Sequence, residues 1–149
     1  MIISLTTVPG RIKYIKPVID SLKRQTKPVS KILLWVPYLR NNRELYNIPN
    51  FLQEDDLVEI KRCNDVGPAT KFLYTVKQLK TNEEFIIIDD DKIYNKNLIK
   101  DLTRFPDIDY PKGIVGVDFK AERRWIKVNI KEDKPPSRLL NTTVLRGSD

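Results

Sequence analysis

The sequence breaks most sharply at Phe85-Ile86-Ile87-Ile88-Asp89-Asp90-Asp91, where an apolar run stops on three adjacent carboxylates. An apolar run of this length bounded by acids reads as a strand buried on both faces. A half-buried strand would alternate, and a helix would need a longer periodic stretch. The acids then stand at a sheet edge, where like charges in a row repel unless something offsets them, as a bound divalent cation does. The pattern predicts a metal site, with a solvated acidic turn as its bland alternative. If extended geometry persists, Asp89 and Asp91 point to one side and Asp90 to the other. Two oxygen ligands with open positions suit magnesium or manganese shared with a phosphate.

Around this run the chain alternates between strand and helix patterns. Ile2 to Thr7 is β-branched and apolar, and Val8-Pro9-Gly10 ends it with turn chemistry. Ile15, Val18, Ile19 and Leu22 recur at helical spacing, with Pro17 suited to a first turn. Lys31 to Val36, stopped by Pro37, reads as a second buried strand and completes a βαβ unit. Tyr38 to Asp56 is polar and reads as a loop with one short helix near Pro49 to Gln53. Leu57 to Lys61 alternates as a third strand. Asn64-Asp65-Val66-Gly67-Pro68-Ala69-Thr70-Lys71 punctuates the chain and opens a helix, for which Phe72, Leu73, Val76 and Leu79 supply the expected apolar stripe. Beyond the acids, Asn95 to Arg104 reads as a short helix. Ile114 to Val117, Trp125 to Ile130 and Thr142 to Gly147 read as strands, and Lys131 to Ser137 as a loop.

Composition narrows the chemistry. Histidine is absent, which removes Ser-His-Asp and Cys-His nucleophile systems, zincin motifs and imidazole acid/base catalysis. The single cysteine, Cys63, excludes an intrachain disulfide and a Cys-rich zinc site. Chemistry is left to carboxylates, Lys, Arg, Tyr or a metal. The 27 basic against 20 acidic residues give a charge of +7, which favours anionic partners. No aromatic-basic RNA signature, zinc-finger spacing or helix-turn-helix pattern is present, so nucleic acid is not an expected partner. No apolar run reaches the length of a membrane span and the start lacks signal-peptide character, so a soluble, cytoplasmic protein of one domain is expected.

Strands alternating with helices predict an α/β fold: an open, mostly parallel sheet with helices on both faces. In such sheets ligands bind beyond the carboxyl ends of the strands. Three segments converge there: Thr6 to Arg11, Cys63 to Lys71, and Asp89 to Asp91. Together, Ser-Leu-Thr-Thr-Val-Pro-Gly-Arg, Gly-Pro-Ala-Thr-Lys and Ile-Ile-Ile-Asp-Asp-Asp before Ile-Tyr resemble a nucleotide-sugar-dependent glycosyltransferase of the GT-A fold, a Rossmann-like nucleotide-binding architecture. The likeness is to small enzymes of bacterial polysaccharide clusters and large algal viruses, with the acids in the place of the Asp-x-Asp motif. It covers residues 1 to 100, and 101 to 149 would be a partial or compact acceptor part.

The resemblance implies transfer of a sugar from a UDP- or GDP-sugar to a glycan or other hydroxyl acceptor, with Mn2+ or Mg2+. It implies that Asp91 ligates the metal and that Asp89 shares it or holds the ribose, with Asp90 beside them. Thr6 and Arg11 would contact base, ribose or phosphate, Asp65 the base or ribose, and Lys71 the ribose or diphosphate. It identifies no general base: Asp118, Glu122 and Asp149 are present, but none stands in a matching motif. Three other readings remain: a nucleotidyltransferase, a basic module binding nucleic acid or an anionic glycan, and a donor-binding domain without transfer.

Overall fold

The apolar runs that read as strands join one sheet. In the computed structural model, residues 1–41, 43–80 and 83–104 are described in full, together with the backbone of three further strands. Strand β1 (Ile2–Thr6) leads through a 3-10 turn, Ile12–Tyr14, into α1 (Lys16–Lys23). After β2 (Lys31–Pro37) come a small hairpin, β3 (Leu39–Arg40) and β4 (Glu44–Leu45), a one-turn helix α2 (Asn50–Gln53), and β5 (Val58–Cys63). A second 3-10 turn, Gly67–Ala69, opens α3 (Thr70–Gln78), followed by β6 (Glu84–Ile87), α4 (Leu98–Leu102), β7 (Val115–Phe119), β8 (Trp125–Asn129) and β9 (Val144–Arg146).

The five-stranded sheet has the order β5-β2-β1-β6-β9. Its first four strands are parallel, in registers such as Ile3 beside Ile32 and Ile3 beside Ile86, and β9 closes it antiparallel with Leu145 opposite Phe85. The acid-terminated strand is therefore interior, and β1 holds the middle. Strands β7 and β8 pair with each other in a separate hairpin. The loop expected for Lys131 to Ser137 falls outside the described residues.

Both faces of the sheet are covered, which is why its strands read as unbroken apolar runs. On one face Ile3, Leu5, Ile32, Leu34, Val36 and Ile86 pack against Val18, Ile19 and Leu22 of α1 and against Leu98, Ile99 and Leu102 of α4. Burying each such aliphatic side chain contributes roughly 1.5–3 kcal/mol. Pro17 lies in the first turn of α1, where its missing N–H costs nothing. Gln25, just past the end of α1, donates to the carbonyls of Ser21 and Asn95 and accepts from the Ile99 N–H, so α1 holds the segment that follows the acids.

The opposite face carries Leu33, Trp35 and Cys63 under α3. Here the expected stripe holds only in part: Leu79 packs against this cluster and Val76 is half-buried. Phe72 and Leu73 are exposed, while Thr70 and Thr75 are fully buried. A polar network fixes that rotation: Trp35 Nε1 donates to Thr75 Oγ1 at 2.7 Å, Thr75 and Ser4 share a 2.7 Å hydroxyl hydrogen bond, and Ser4 Oγ reaches the Lys71 carbonyl at 2.6 Å. Among the described residues, no helix is long and apolar enough to cross a membrane.

Candidate active site

The carboxyl ends of β1, β2, β5 and β6 surround a cavity of about 350 Å³, and Thr6, Arg11, Asp65, Lys71, Asp89, Asp90 and Asp91 all line it. A larger depression of about 690 Å³ lies at the other end of the strands, between α1 and α2, with Lys23 paired to Asp55 on its wall. The smaller cavity is the candidate, because it gathers the chemistry-bearing segments at the end of the sheet where α/β folds bind ligands.

The acids do not continue the strand. The chain turns at Asp90 and Asp91, so strict alternation fails and each carboxylate has its own environment. Asp90 turns inward and is only 6% exposed. Its oxygens accept from Thr7 Oγ1 at 2.5 Å and from Arg11 through a bidentate pair at 3.0 and 2.7 Å. This clip ties the loop after β1 to the acidic turn, and the hydrogen bond to Asp90 holds the Arg11 guanidinium above its ordinary pKa. Asp89 accepts from Lys71 Nζ at 2.5 Å and from Lys92 Nζ at 3.3 Å. Burial pushes the Asp89 carboxyl up, but the hydrogen bond and charge of Lys71, then those of Lys92, bring it below its usual value. The stability from this pairing is therefore present above the ordinary carboxylate pKa. It is lost as the pH falls through the lowered folded value, so the pairing is intact at neutral pH. Asp91 is exposed, and among the described residues its carboxylate has no hydrogen bond or ion pair.

The other expected residues are reached as follows. Thr6 Oγ1 donates to the Trp35 carbonyl at 2.9 Å, so its hydroxyl serves the sheet. Asp65 accepts from the N–H of Asn41 at 2.9 Å and of Gly67 at 2.8 Å, joining the β3–β4 hairpin to the turn before α3. Gly67 has φ +66, the left-handed region that favours glycine. Glu122 and Asp149 lie outside the described residues, and of Asp118 only the backbone in β7 is described.

Three residues of the site escaped sequence reasoning. Thr7, not Thr6, touches the acids. Tyr46 donates to the Thr7 carbonyl at 3.1 Å, and burial, with Asp65 nearby, pushes its hydroxyl up to about 12. Tyr94 accepts from the Asp89 N–H at 2.8 Å and donates to the Asp89 carbonyl at 3.0 Å, bridging the turn at its root. Burial raises the Tyr94 pKa, so the hydroxyl stays protonated and keeps both bonds. The Ile-Tyr after the acids was the signal for Tyr94, but nothing in its spacing gave a role. Tyr94→Phe is expected to lower stability by about 1–2 kcal/mol by leaving the Asp89 backbone unsatisfied, measurable by urea denaturation.

Among the described residues, no group of three or more carboxylate, cysteine or histidine side chains is arranged to hold a metal ion. Asp90 is committed to Arg11, and Asp89 is held by Lys71 and Lys92. The available oxygens are those of Asp91 and the Asp89 oxygen facing Lys92. One or two carboxylates suffice for a cation that also binds a substrate's phosphates, so the donors fit a cation arriving with such a ligand.

No protein-family model matches the sequence, and no curated protein does. Solved structures do match. A 4-diphosphocytidyl-2C-methyl-D-erythritol synthase aligns with 98% of this chain and 73% of its own, at 9% identity and a TM-score of 0.62. The Francisella tularensis 2-C-methyl-D-erythritol 4-phosphate cytidylyltransferase (IspD) aligns over 97% and 72%, at 8% identity and 0.55. Residues 1–349 of S. aureus TarS align over 74% of this chain and 33% of that one, at 21% identity and 0.51. The fold is GT-A-like. At these identities the likeness is of architecture: a mostly parallel, Rossmann-like sheet with helices on both faces.

Proposed function

We propose that this protein transfers a sugar from a nucleoside-diphosphate sugar to a hydroxyl acceptor and uses Mn2+ or Mg2+. The observation that carries the reading is the cavity at the carboxyl ends of the strands, where the loop after β1, the start of α3 and the acidic turn meet. Its lining sets Asp65, Asp89, Asp90 and Asp91 against Arg11, Arg40 and Lys71. With Asp90 paired to Arg11 and Asp89 to Lys71, the unpaired Asp91 favours a diphosphate that carries a divalent cation over a bare one.

The chain's own residues divide the work. Lys71 supplies a point charge for the diphosphate, and the amino end of α3 faces the same side. Asp91, with Asp89, would hold the cation, which when bound neutralises charge on the leaving diphosphate. Arg11, Asp90 and Thr7 keep the first loop against the acidic turn, and Tyr94 fixes that turn. Tyr46 and Asp65 shape the end of the cavity toward the β3–β4 hairpin. Residues 1–100 carry the donor-binding part of one glycosyltransferase domain.

The nucleotidyltransferase reading has a better fold match in its favour, the TM-score of 0.62 to the synthase. It must place a triphosphate on a first loop with one glycine, Gly10, and an arginine already paired to Asp90. A thermal-shift panel separates the readings. UDP- or GDP-sugar with Mn2+ or Mg2+ is expected to raise Tm, with either component alone giving little. At a hundredfold excess over Kd the gain is about 2.7 kcal/mol. A shift confined to nucleoside triphosphates, with pyrophosphate release, would establish the nucleotidyltransferase instead. Indifference to every nucleotide, with salt-sensitive retention on heparin or DNA, would favour the binding module.

A further inference from the structure

We infer that Lys71 is the site's resident counter-ion: its ammonium holds Asp89 where a divalent cation would act, and it passes to a substrate phosphate when nucleotide and cation arrive together. The inference rests on the donor reading above and adds a rule of entry, that the cavity admits a phosphate ligand and its cation as a pair.

The placement of Lys71 is costly unless it has such a task. Its side chain is only 14% exposed, although lysine is ordinarily solvated. It also stands in the first turn of α3, where the helix dipole disfavours a cation. What holds it is a pair of oxygens, Asp89 Oδ1 at 2.5 Å and the Ile88 carbonyl at 2.8 Å. An ammonium between a carboxylate and a backbone carbonyl occupies the kind of oxygen-lined position that a hard cation takes.

The backbone beneath it is fixed while the side chain is not. Ser4 Oγ grips the Lys71 carbonyl at 2.6 Å and belongs to the buried network with Thr75 and Trp35, which ties α3 to the sheet. The flexible lysine stem is then the element able to exchange partners. Lys71 and Asp89 line the same cavity, so the exchange needs no movement of the fold. While the ammonium stays, Asp89 is neutralised and a lone cation meets chiefly Asp91. While Asp89 keeps the ammonium, a lone phosphate meets a lysine already paired. Only a ligand bringing both charges satisfies both residues at once.

The test compares the whole chain and Lys71→Met by Mn2+ titration, followed by electron paramagnetic resonance, and by calorimetric titration of UDP and GDP with Mn2+ present. Two effects of opposite sign are expected. With Mn2+ alone, Lys71→Met binds about tenfold or more tighter than the unaltered protein, because Asp89, left with only the exposed Lys92, joins the already free Asp91. With Mn2+ present, its nucleotide affinity falls by about tenfold. Adding Asp89→Asn to Lys71→Met returns Mn2+ affinity to its starting value. Lys71→Gln, which keeps a donor for the Ile88 carbonyl, is expected to repeat both effects and guards against misfolding of the methionine variant. Unchanged or weakened Mn2+ binding in folded Lys71→Met and Lys71→Gln overturns the inference. Failure of the donor reading looks different: the unaltered protein then binds no nucleotide with Mn2+, whatever the lysine variants do with Mn2+ alone.

Discussion

Asp91→Asn is expected to abolish the joint stabilisation by nucleotide sugar and Mn2+, and to lower kcat/KM by about a hundred- to a thousandfold. The expectation follows from how the acids are divided. Asp90 is consumed by Arg11 and Thr7, and Asp89 is shared between Lys71 and Lys92, which leaves Asp91 as the exposed carboxylate on the cavity wall. Asparagine keeps the shape and removes the charge that a cation needs. Because no fold contact among the described residues depends on this carboxylate, stability without ligand should stay within about 0.5 kcal/mol. Thermal shifts with and without ligand, combined with donor turnover, read both quantities. Retained cation-dependent binding in Asp91→Asn would remove the acidic turn from the proposed chemistry. A large loss of stability would instead make Asp91 a structural residue.

Much of this frame was legible in the chain because it rests on local pattern. The runs Ile2 to Thr6, Lys31 to Val36 and Phe85 to Ile87 are covered on both faces, and continuous apolarity is what such strands require. Ile15, Val18, Ile19 and Leu22 pack as their spacing indicates. The convergence of three segments at the strand ends also follows from topology alone.

What could not be read is polar and long-range. Helix α3 carries an apolar stripe in sequence, yet it buries Thr75 and leaves Phe72 and Leu73 exposed, because hydroxyl and indole partners on Ser4 and Trp35 hold Thr75 against the sheet. Those partners lie 71 and 40 residues away, beyond any periodicity. At the end of β1 a one-residue step decides which hydroxyl bonds the acidic turn. Thr6 donates within the sheet and Thr7 to Asp90, and successive strand residues point opposite ways. The alternation that grouped Asp89 with Asp91 assumed an extended chain, whereas the backbone turns at Asp90 and lets Arg11, 79 residues earlier, claim that side chain.

The Arg11–Asp90 clip carries the second large effect, and its two halves are not equivalent. Asp90 is buried to 4% side-chain exposure while Arg11 remains 49% exposed. Removing the arginine strands a buried carboxylate, and breaking a fully buried pair in this way costs about 3–5 kcal/mol. Water reaches the guanidinium side, so Arg11→Met should cost less, about 2–3 kcal/mol. Asp90→Asn instead removes the charge but keeps an amide oxygen that can accept from Thr7, and it leaves an arginine that can turn to solvent. Asp90→Asn should therefore cost less than Arg11→Met, about 1–2 kcal/mol. The order of the two losses in urea denaturation is the informative result. If the variants lose equal stability, or Asp90→Asn loses more, the carboxylate is not the stranded partner and the clip is a surface ion pair. If the order holds, both variants should also weaken nucleotide binding, since each frees the first loop from the acidic turn. That loss would arise through position, because Asp90 itself is turned inward to Thr7 and Arg11.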